Sequence, residues 1–291
     1  LHVAPSAASK VYFSGANNTS LTIKSNRTVN PNVSVYINKT NKNNTITLVG
    51  GNLDFVDPTG SPACGTLHLT KAVLVTGNNF VILEQDHTLL TQPNQGFEIT
   101  DGVIAGNVRK YISNQTAEAV DRSKIELPTG TIDGYYRPAS CFFKNNPPAS
   151  INLTVNHVNA SPGGTNGIPI NTGTVTITNY PDFHWLIKSD MTITPSYEFD
   201  MELQAEGYTE YVSDEIQNVR LIRRDVGNIN NPWVLQGKDE NYDNSTIAPD
   251  WPARRLSRGP SGSLRCQPLR RPRRLLQLRS SPGLKMPPAW H

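Results

Sequence analysis

Clusters of Asn and Gly interrupt the first hundred residues of this chain so often that no helix of ordinary length fits between them. Gly15-Ala16-Asn17-Asn18, Asn41-Lys42-Asn43-Asn44, Gly50-Gly51-Asn52 and Gly77-Asn78-Asn79 are residue types that tolerate the left-handed backbone of a tight turn. Between them lie short runs: Val11–Phe13, Ser20–Ile23, Val33–Ile37, Thr45–Val49, Thr66–Leu69, Val73–Val75 and Phe80–Leu83. β-Branched and polar residues alternate along them, which is the period of a strand with one buried face. Short strands recurring with Asn at their corners predict a parallel β-solenoid-like array over residues 1–105, with a β-sandwich as the alternative.

The texture changes around Gly96–Tyr111, where two Gly-punctuated strands lead into a basic-aromatic one, and the domain boundary is placed there. Longer strands follow at Ser123–Leu127, Tyr136–Phe143, Ile151–Val158, Thr174–Thr178, His184–Ser189, Ser196–Gln204, Asn218–Arg224 and Trp233–Leu235. Pro- and Gly-rich connections separate them, and Pro cannot donate to a central ladder. Residues 106–248 therefore read as an antiparallel, immunoglobulin-like β-sandwich. The whole chain is expected to be all-β.

Charge sharpens the division. The net charge of +3 hides a tail, residues 251–291, with nine Arg, one Lys and no acid, so residues 1–250 hold 17 basic against 24 acidic residues. An acidic body argues against nucleic-acid binding, which needs clustered cations. Residues 1–250 also hold 29 Asn and 26 Thr, whereas the tail has neither. So abrupt a shift makes the Pro/Arg-rich segment 249–291 read as disordered or as a frameshift product, or otherwise as a basic arm for an acidic partner.

No stretch approaches the roughly 20 apolar residues that span a bilayer. Few Lys and Cys, many Thr and Asn, and triplets of the glycosylation type at Asn17, Asn18, Asn26, Asn32, Asn38, Asn43, Asn114, Asn152 and Asn244 point to an extracellular or cell-surface location. Of three cysteines, Cys64 and Cys141 are candidates for a disulfide, and no His/Cys spacing builds a zinc site.

No nucleophile elbow, P-loop, dinucleotide fingerprint or HExxH motif occurs. The best chemical constellation is Asp182, His184 and Trp185, with Asp190, Asp200 and Glu202 on nearby strands, a carboxylate-plus-aromatic mixture of the kind glycosidases use. Same-face carboxylates on a strand are more often a solvated edge, and a Trp more often packs a core. Tyr135, Tyr136 and Arg137 are candidates for an aromatic platform that stacks on sugar rings, set against a Tyr pair split between core and surface. Asp239, Asn241, Asp243 and Asp250 fall at positions 1, 3, 5 and 12 of a calcium loop, although Asn244 stands where Gly is expected and no helix pattern flanks it. Calcium is thus the only cofactor to consider.

Three segments carry a family resemblance: Gly106-Asn107-Val108-Arg109-Lys110-Tyr111, Ile125-Glu126-Leu127-Pro128-Thr129-Gly130-Thr131 and Tyr135-Tyr136-Arg137-Pro138, followed by His184-Trp185-Leu186-Ile187. Over about residues 67–236 the chain resembles repeat-bearing surface proteins of the Bacteroidota exported by the type IX secretion system. That resemblance implies a modular secreted or cell-surface protein. It also implies a C-terminal β-sandwich sorting domain, in whose place this chain runs into the Arg/Pro tail. The resulting expectation is a structural or adhesive protein, not an enzyme, with a glycan or protein partner and self-association through open strand ends. A carbohydrate-binding or carbohydrate-active protein centred on Trp185, Asp182 and His184 is the alternative.

Overall fold

The protein was analysed as a computed structural model. It describes residues 9–24, 33–55, 65–84, 97–112, 125–143, 150–173, 175–190, 199–206, 220–225 and 228–235, together with four short strands between 257 and 290. Among the described residues there is no helix, so the all-β expectation is met.

Eleven strands form one open, mixed sheet. Its parallel part contains β1 (Ser9–Gly15), β2 (Thr19–Thr22), β3 (Val33–Lys39), β4 (Thr45–Val49), β5 (Leu53–Asp54), β6 (Leu67–Glu84), β7 (Phe97–Ile112) and β9 (Thr129–Gly130). Pairing recurs at related separations along the chain. Thr45 faces Val73 and Leu53 faces Val81, each 28 residues on, while Leu67 faces Phe97, 30 residues on. Side chains therefore stand over their counterparts in the next layer, as Ile46, Leu74 and Ile104 do, each with no exposed surface.

No sheet among the described residues closes or coils into a solenoid, so the array expected over 1–105 is seen as the parallel part of an open sheet. Two expected turns are also absorbed into strands. Gly77-Asn78-Asn79 lies inside the 18-residue β6, where the register with β7 shifts between Val75 and Phe80. The two Gly-punctuated strands expected near 96–111 are the single β7.

β7 is where the pairing changes sense. On one side it runs parallel to β6; on the other, residues 107–112 pair antiparallel with β11 (Ile151–Val158), which pairs antiparallel with β14 (His184–Ser189). The buried row Leu53, Val81, Val108, Val155 and Ile187 crosses five strands without a break, each residue at most 1% exposed. At about 25 cal/mol per Å² of apolar area, such rows supply the main favourable term of folding.

A second sheet contains β8 (Ile125–Leu127), β10 (Ala139–Phe143) and β15 (Phe199–Gln204), and its Ile125, Leu127, Ala139, Cys141 and Leu203 belong to the same apolar cluster as the large sheet. A smaller cluster gathers Ile177, Ile222 and Trp233 around β12 (Ile170–Asn171), β13 (Thr176–Ile177), β16 (Ile222–Arg223) and β17 (Val234–Leu235). There Arg224 donates to the carbonyls of Pro162 and Gly163, both at 2.6 Å, and lies over the Trp233 ring. In the basic tail β18 (Ser257–Arg258) pairs with β19 (Leu264–Arg265), β20 (Leu275–Arg279) with β15, and β21 (Ala289–Trp290) with β14.

The corner asparagines do more than turn the chain. Asn18 Oδ1 accepts from the Thr45 amide at 2.9 Å, and Asn52 Oδ1 from the Phe80 amide at 3.0 Å. In the other direction, Asn44 Nδ2 donates to the Ala16 carbonyl at 2.6 Å and Asn79 Nδ2 to the Leu48 carbonyl at 3.0 Å. Asn107 Nδ2 donates to both Gly77 and Asn79 carbonyls, at 3.1 and 3.2 Å. Each bond joins backbone in an adjacent layer, 27 to 31 residues away. They satisfy polar groups that the ladders leave open at strand corners.

At the change of sense, Gly106 has φ 131°, and an added Cβ would overlap the Thr76 hydroxyl that accepts the Asn107 amide. Two substitutions test these joints by urea denaturation. Asn107→Ala removes two hydrogen bonds, one of them to the solvent-accessible Gly77 carbonyl, and should cost about 1 kcal/mol. Gly106→Val should cost at least as much, through backbone strain and the lost Thr76 contact. A change below about 0.5 kcal/mol for either would show that the corner is not under these constraints.

Candidate functional site

The hairpin Thr129–Arg137 shows how the sequence candidates are used. Thr131 accepts the Gly134 amide at 3.1 Å and donates its own to the Tyr135 carbonyl at 2.9 Å, so the tip closes at Gly134, φ 83°. One step inward, the Arg137 amide donates to Thr129 O at 2.8 Å, and Thr129 Oγ1 returns a bond to Arg137 O at 2.7 Å. This draws the Arg137 side chain into the core. Arg137 is 5% exposed, donates from Nε to the Glu206 carbonyl at 2.8 Å and from Nη1 to His157 Nε2 at 3.1 Å, and packs its guanidinium over the Phe183 ring. Trp185 Nε1 donates to Arg137 O at 3.1 Å.

Trp185 and Arg137 thus meet, but in the interior. Phe183, Trp185 and His157 pack edge to face or tilted, at centroid distances of 5.2 to 5.4 Å. Such packing fills the core beside β11 and β14 and presents no platform to a sugar. Tyr135 alone of the three hairpin candidates is exposed, at 42%, whereas Tyr136 donates its hydroxyl to Glu126 and its amide to Glu206. His184 alternates to the face opposite Trp185, half-buried, with Nδ1 at 3.1 Å from Ala160 O; burial holds its pKa below the ordinary value. Asp182 is exposed. Asp200 and Glu202 belong to β15, in the other sheet. The expected acid cluster is therefore dispersed by strand alternation and by sheet membership.

Cys141 is a free thiol with no exposed surface, facing the core between Ile125 and Met201 in register, and Cys64 lies outside the described residues. Asp239, Asn241, Asp243 and Asp250 also lie outside them. Among the described residues no group of three or more His, Cys, Asp or Glu could hold a metal ion.

Two surfaces do assemble polar groups. Along the parallel strands, Tyr12, Tyr36, His68 and Glu98 stand in register; the first three rings stack at 4.8 and 4.0 Å, and His68 Nδ1 meets Glu98 Oε2 at 2.8 Å. The second is a groove of about 260 Å³ on the outer face of β7, β11 and β14, floored by Asn107, Arg109, Thr154, Asn156 and Lys188. These positions alternate with the buried Val108, Leu153, Val155 and Ile187, so the packed inner face fixes the outer one. Arg109 is held twice: Nε donates to Thr154 Oγ1 at 3.2 Å, and the guanidinium lies 4.3 Å from the Phe80 ring centroid. At the rim Asp190 accepts from the Asn152 amide and from Asn152 Nδ2, both at 2.8 Å.

Sequence reasoning named Asn152 as a glycosylation-type triplet, Asp190 beside the acid constellation, and Asn107, Arg109 and Leu186 only within the segments of family resemblance; it read none of them as part of a groove. The signal was present as period-two polar positions in Asn107–Arg109, Asn152–Asn156 and Leu186–Lys188, but seeing a groove in it requires knowing that β7, β11 and β14 are neighbours.

Buried ionisable groups make the core pH-dependent. Burial is the main cause that brings His157 to about 3, with Arg137 adding to it, so the ring is neutral and carries its proton on Nδ1. In an unfolded chain His titrates near 6.5, so the unfolded state binds more protons between about pH 6.5 and 3. Stability should be full above that window and fall through it by on the order of 4 kcal/mol, and His157→Gln should flatten this dependence. Burial likewise lowers Lys110 to about 7, against the raising influence of Glu126. Stability should therefore rise from pH 7 toward 10, and Lys110→Met should remove that rise. Urea midpoints across pH 4–10 check both, and unchanged profiles in the two variants would contradict the buried, desolvated placement.

No family model, curated protein or solved structure matches this chain.

Proposed function

We propose that this chain is an extracellular structural or adhesive surface protein, a rigid strand stack that meets a cell-surface glycan or protein through the polar groove on β7, β11 and β14. One observation carries the reading: polar side chains with hydrogen-bonding capacity stand on strands whose opposite faces are fully buried, so the binding surface is preformed. In this reading the parallel layers form a solenoid-like spacer, and the two sheets that share one core form a sandwich-like body beyond it. The resemblance to type IX-exported surface proteins supports a place outside the cell. A calcium ion at Asp239, Asn241, Asp243 and Asp250, and self-association through strand edges, belong to the same reading and rest on sequence alone.

The competing reading, a carbohydrate-active enzyme using Asp182, His184 and Trp185, is disfavoured by their arrangement: Trp185 is buried and both polar residues lie on other surfaces. Incubating the purified protein with immobilised neutral and acidic polysaccharides separates the two. A scaffold or adhesin should be retained and release no oligosaccharide detectable by mass spectrometry; accumulating cleavage products would overturn the proposal.

A further inference from the structure

We infer that the groove takes a saccharide bearing a carboxylate, a uronic-acid unit, with the carboxylate between Arg109 and Lys188. This rests on the adhesive reading above and names the ligand class. The register sets Arg109, Thr154 and Lys188 side by side in one row across three strands, and Asn107, Asn156 and Leu186 in the next. Neighbouring strands are about 4.8 Å apart, so the two cations bracket a span of roughly 10 Å.

Arg109 is prepared for a planar anion. Its Nε is committed to Thr154 and its face to Phe80, and its Nη1 and Nη2 atoms have no partner among the described residues. Those two nitrogens form one edge of the fork that binds carboxylates bidentately, and holding the fork in advance lowers the entropy lost on binding. Lys188 is exposed, and its Nζ makes no hydrogen bond or ion pair among the described residues. Asp190 is the one acid among the described lining residues; its oxygens are engaged by Asn152, and two cations against this one carboxylate leave the lining with a net charge of +1.

The rest of the lining selects against other anions. Asn156 offers an amide donor and an acceptor, and Asn107, whose Nδ2 is committed to the Gly77 and Asn79 carbonyls, offers its Oδ1; such acceptors suit the hydroxyls of a sugar ring and meet no donor on a bare sulfate. Leu186 and Phe80 add apolar surface for the ring's C–H face. A volume of about 260 Å³ lies just under the roughly 300–1,000 Å³ typical of drug-sized ligands, which is room for a single sugar ring. A nucleic acid would meet the acidic body, with 24 acidic against 17 basic residues in 1–250.

The test titrates the full chain with trigalacturonic acid, its fully methyl-esterified form and maltotriose, using calorimetry. The acid should bind, with affinity falling as NaCl is raised, and the ester and the neutral sugar should bind at least tenfold more weakly. Arg109→Gln should weaken acid binding about tenfold or more and Lys188→Gln severalfold, with melting temperatures within a few degrees of the parent. Thr154→Val, which frees the Arg109 Nε, should weaken binding, and Thr154→Ser should restore it. Equal binding of acid and ester would overturn the carboxylate assignment and leave the adhesive reading standing. Acid binding that is indifferent to Arg109→Gln would overturn the groove assignment. No saccharide binding would overturn the inference altogether and return the adhesive reading to a protein partner.

Discussion

Hydrogen bonds from corner asparagines to the backbone of the neighbouring layer are the constraint on which the rest of the structure depends. A parallel strand that ends at a corner leaves amides and carbonyls outside the ladder, and these must find partners. Asn18, Asn44, Asn52, Asn79 and Asn107 provide them across separations of 27 to 31 residues. With the corners fixed, registers are fixed, and like side chains stack: Ile46 on Leu74 on Ile104, Leu53 on Val81 on Val108. At Asn107 the same device meets the point where β7 begins to pair antiparallel with β11, so the layered part and the antiparallel part share both a strand and a core.

Much of this was legible in the sequence, and what was not has a physical reason. Ile151–Val158 and His184–Ser189 coincide with their expected bounds because strict alternation over six or more residues admits one strand register. The expected turn at Gly77-Asn78-Asn79 became a register shift within β6, because neighbouring strands on either side can carry a bulged chain through a corner that a lone strand would have to end at. The Asn-rich corners were read as left-handed turns. Glycines such as Gly15, Gly50 and Gly77 take that conformation, while asparagines such as Asn44 and Asn79 are used for their amides. Sequence spacing gives a residue's tolerance for a backbone shape; it does not give the partner 28 residues away.

The candidate sites diverged for a related reason. Tyr136, Arg137 and Trp185 stood out by residue type, and residue type is also what a core selects: Arg137 is 5% and Trp185 4% exposed. The proposed binding groove is lined instead by unremarkable residues, Asn107, Arg109, Thr154 and Lys188, which come together when three strands separated by about 80 residues lie side by side. Their positions are set from behind, by Val108, Val155 and Ile187, so the stability of the core and the geometry of the groove are one property.

Native-state hydrogen exchange on amides of β6 and β11 tests that unity most directly. If the layers and the antiparallel strands are one cooperative body joined through β7, the amides of Leu74 and Val155 should open with the same free energy and the same denaturant dependence. Exchange of Leu74 through a lower-energy opening, with Val155 still protected, would mean that the layers come apart on their own and that the groove does not depend on them.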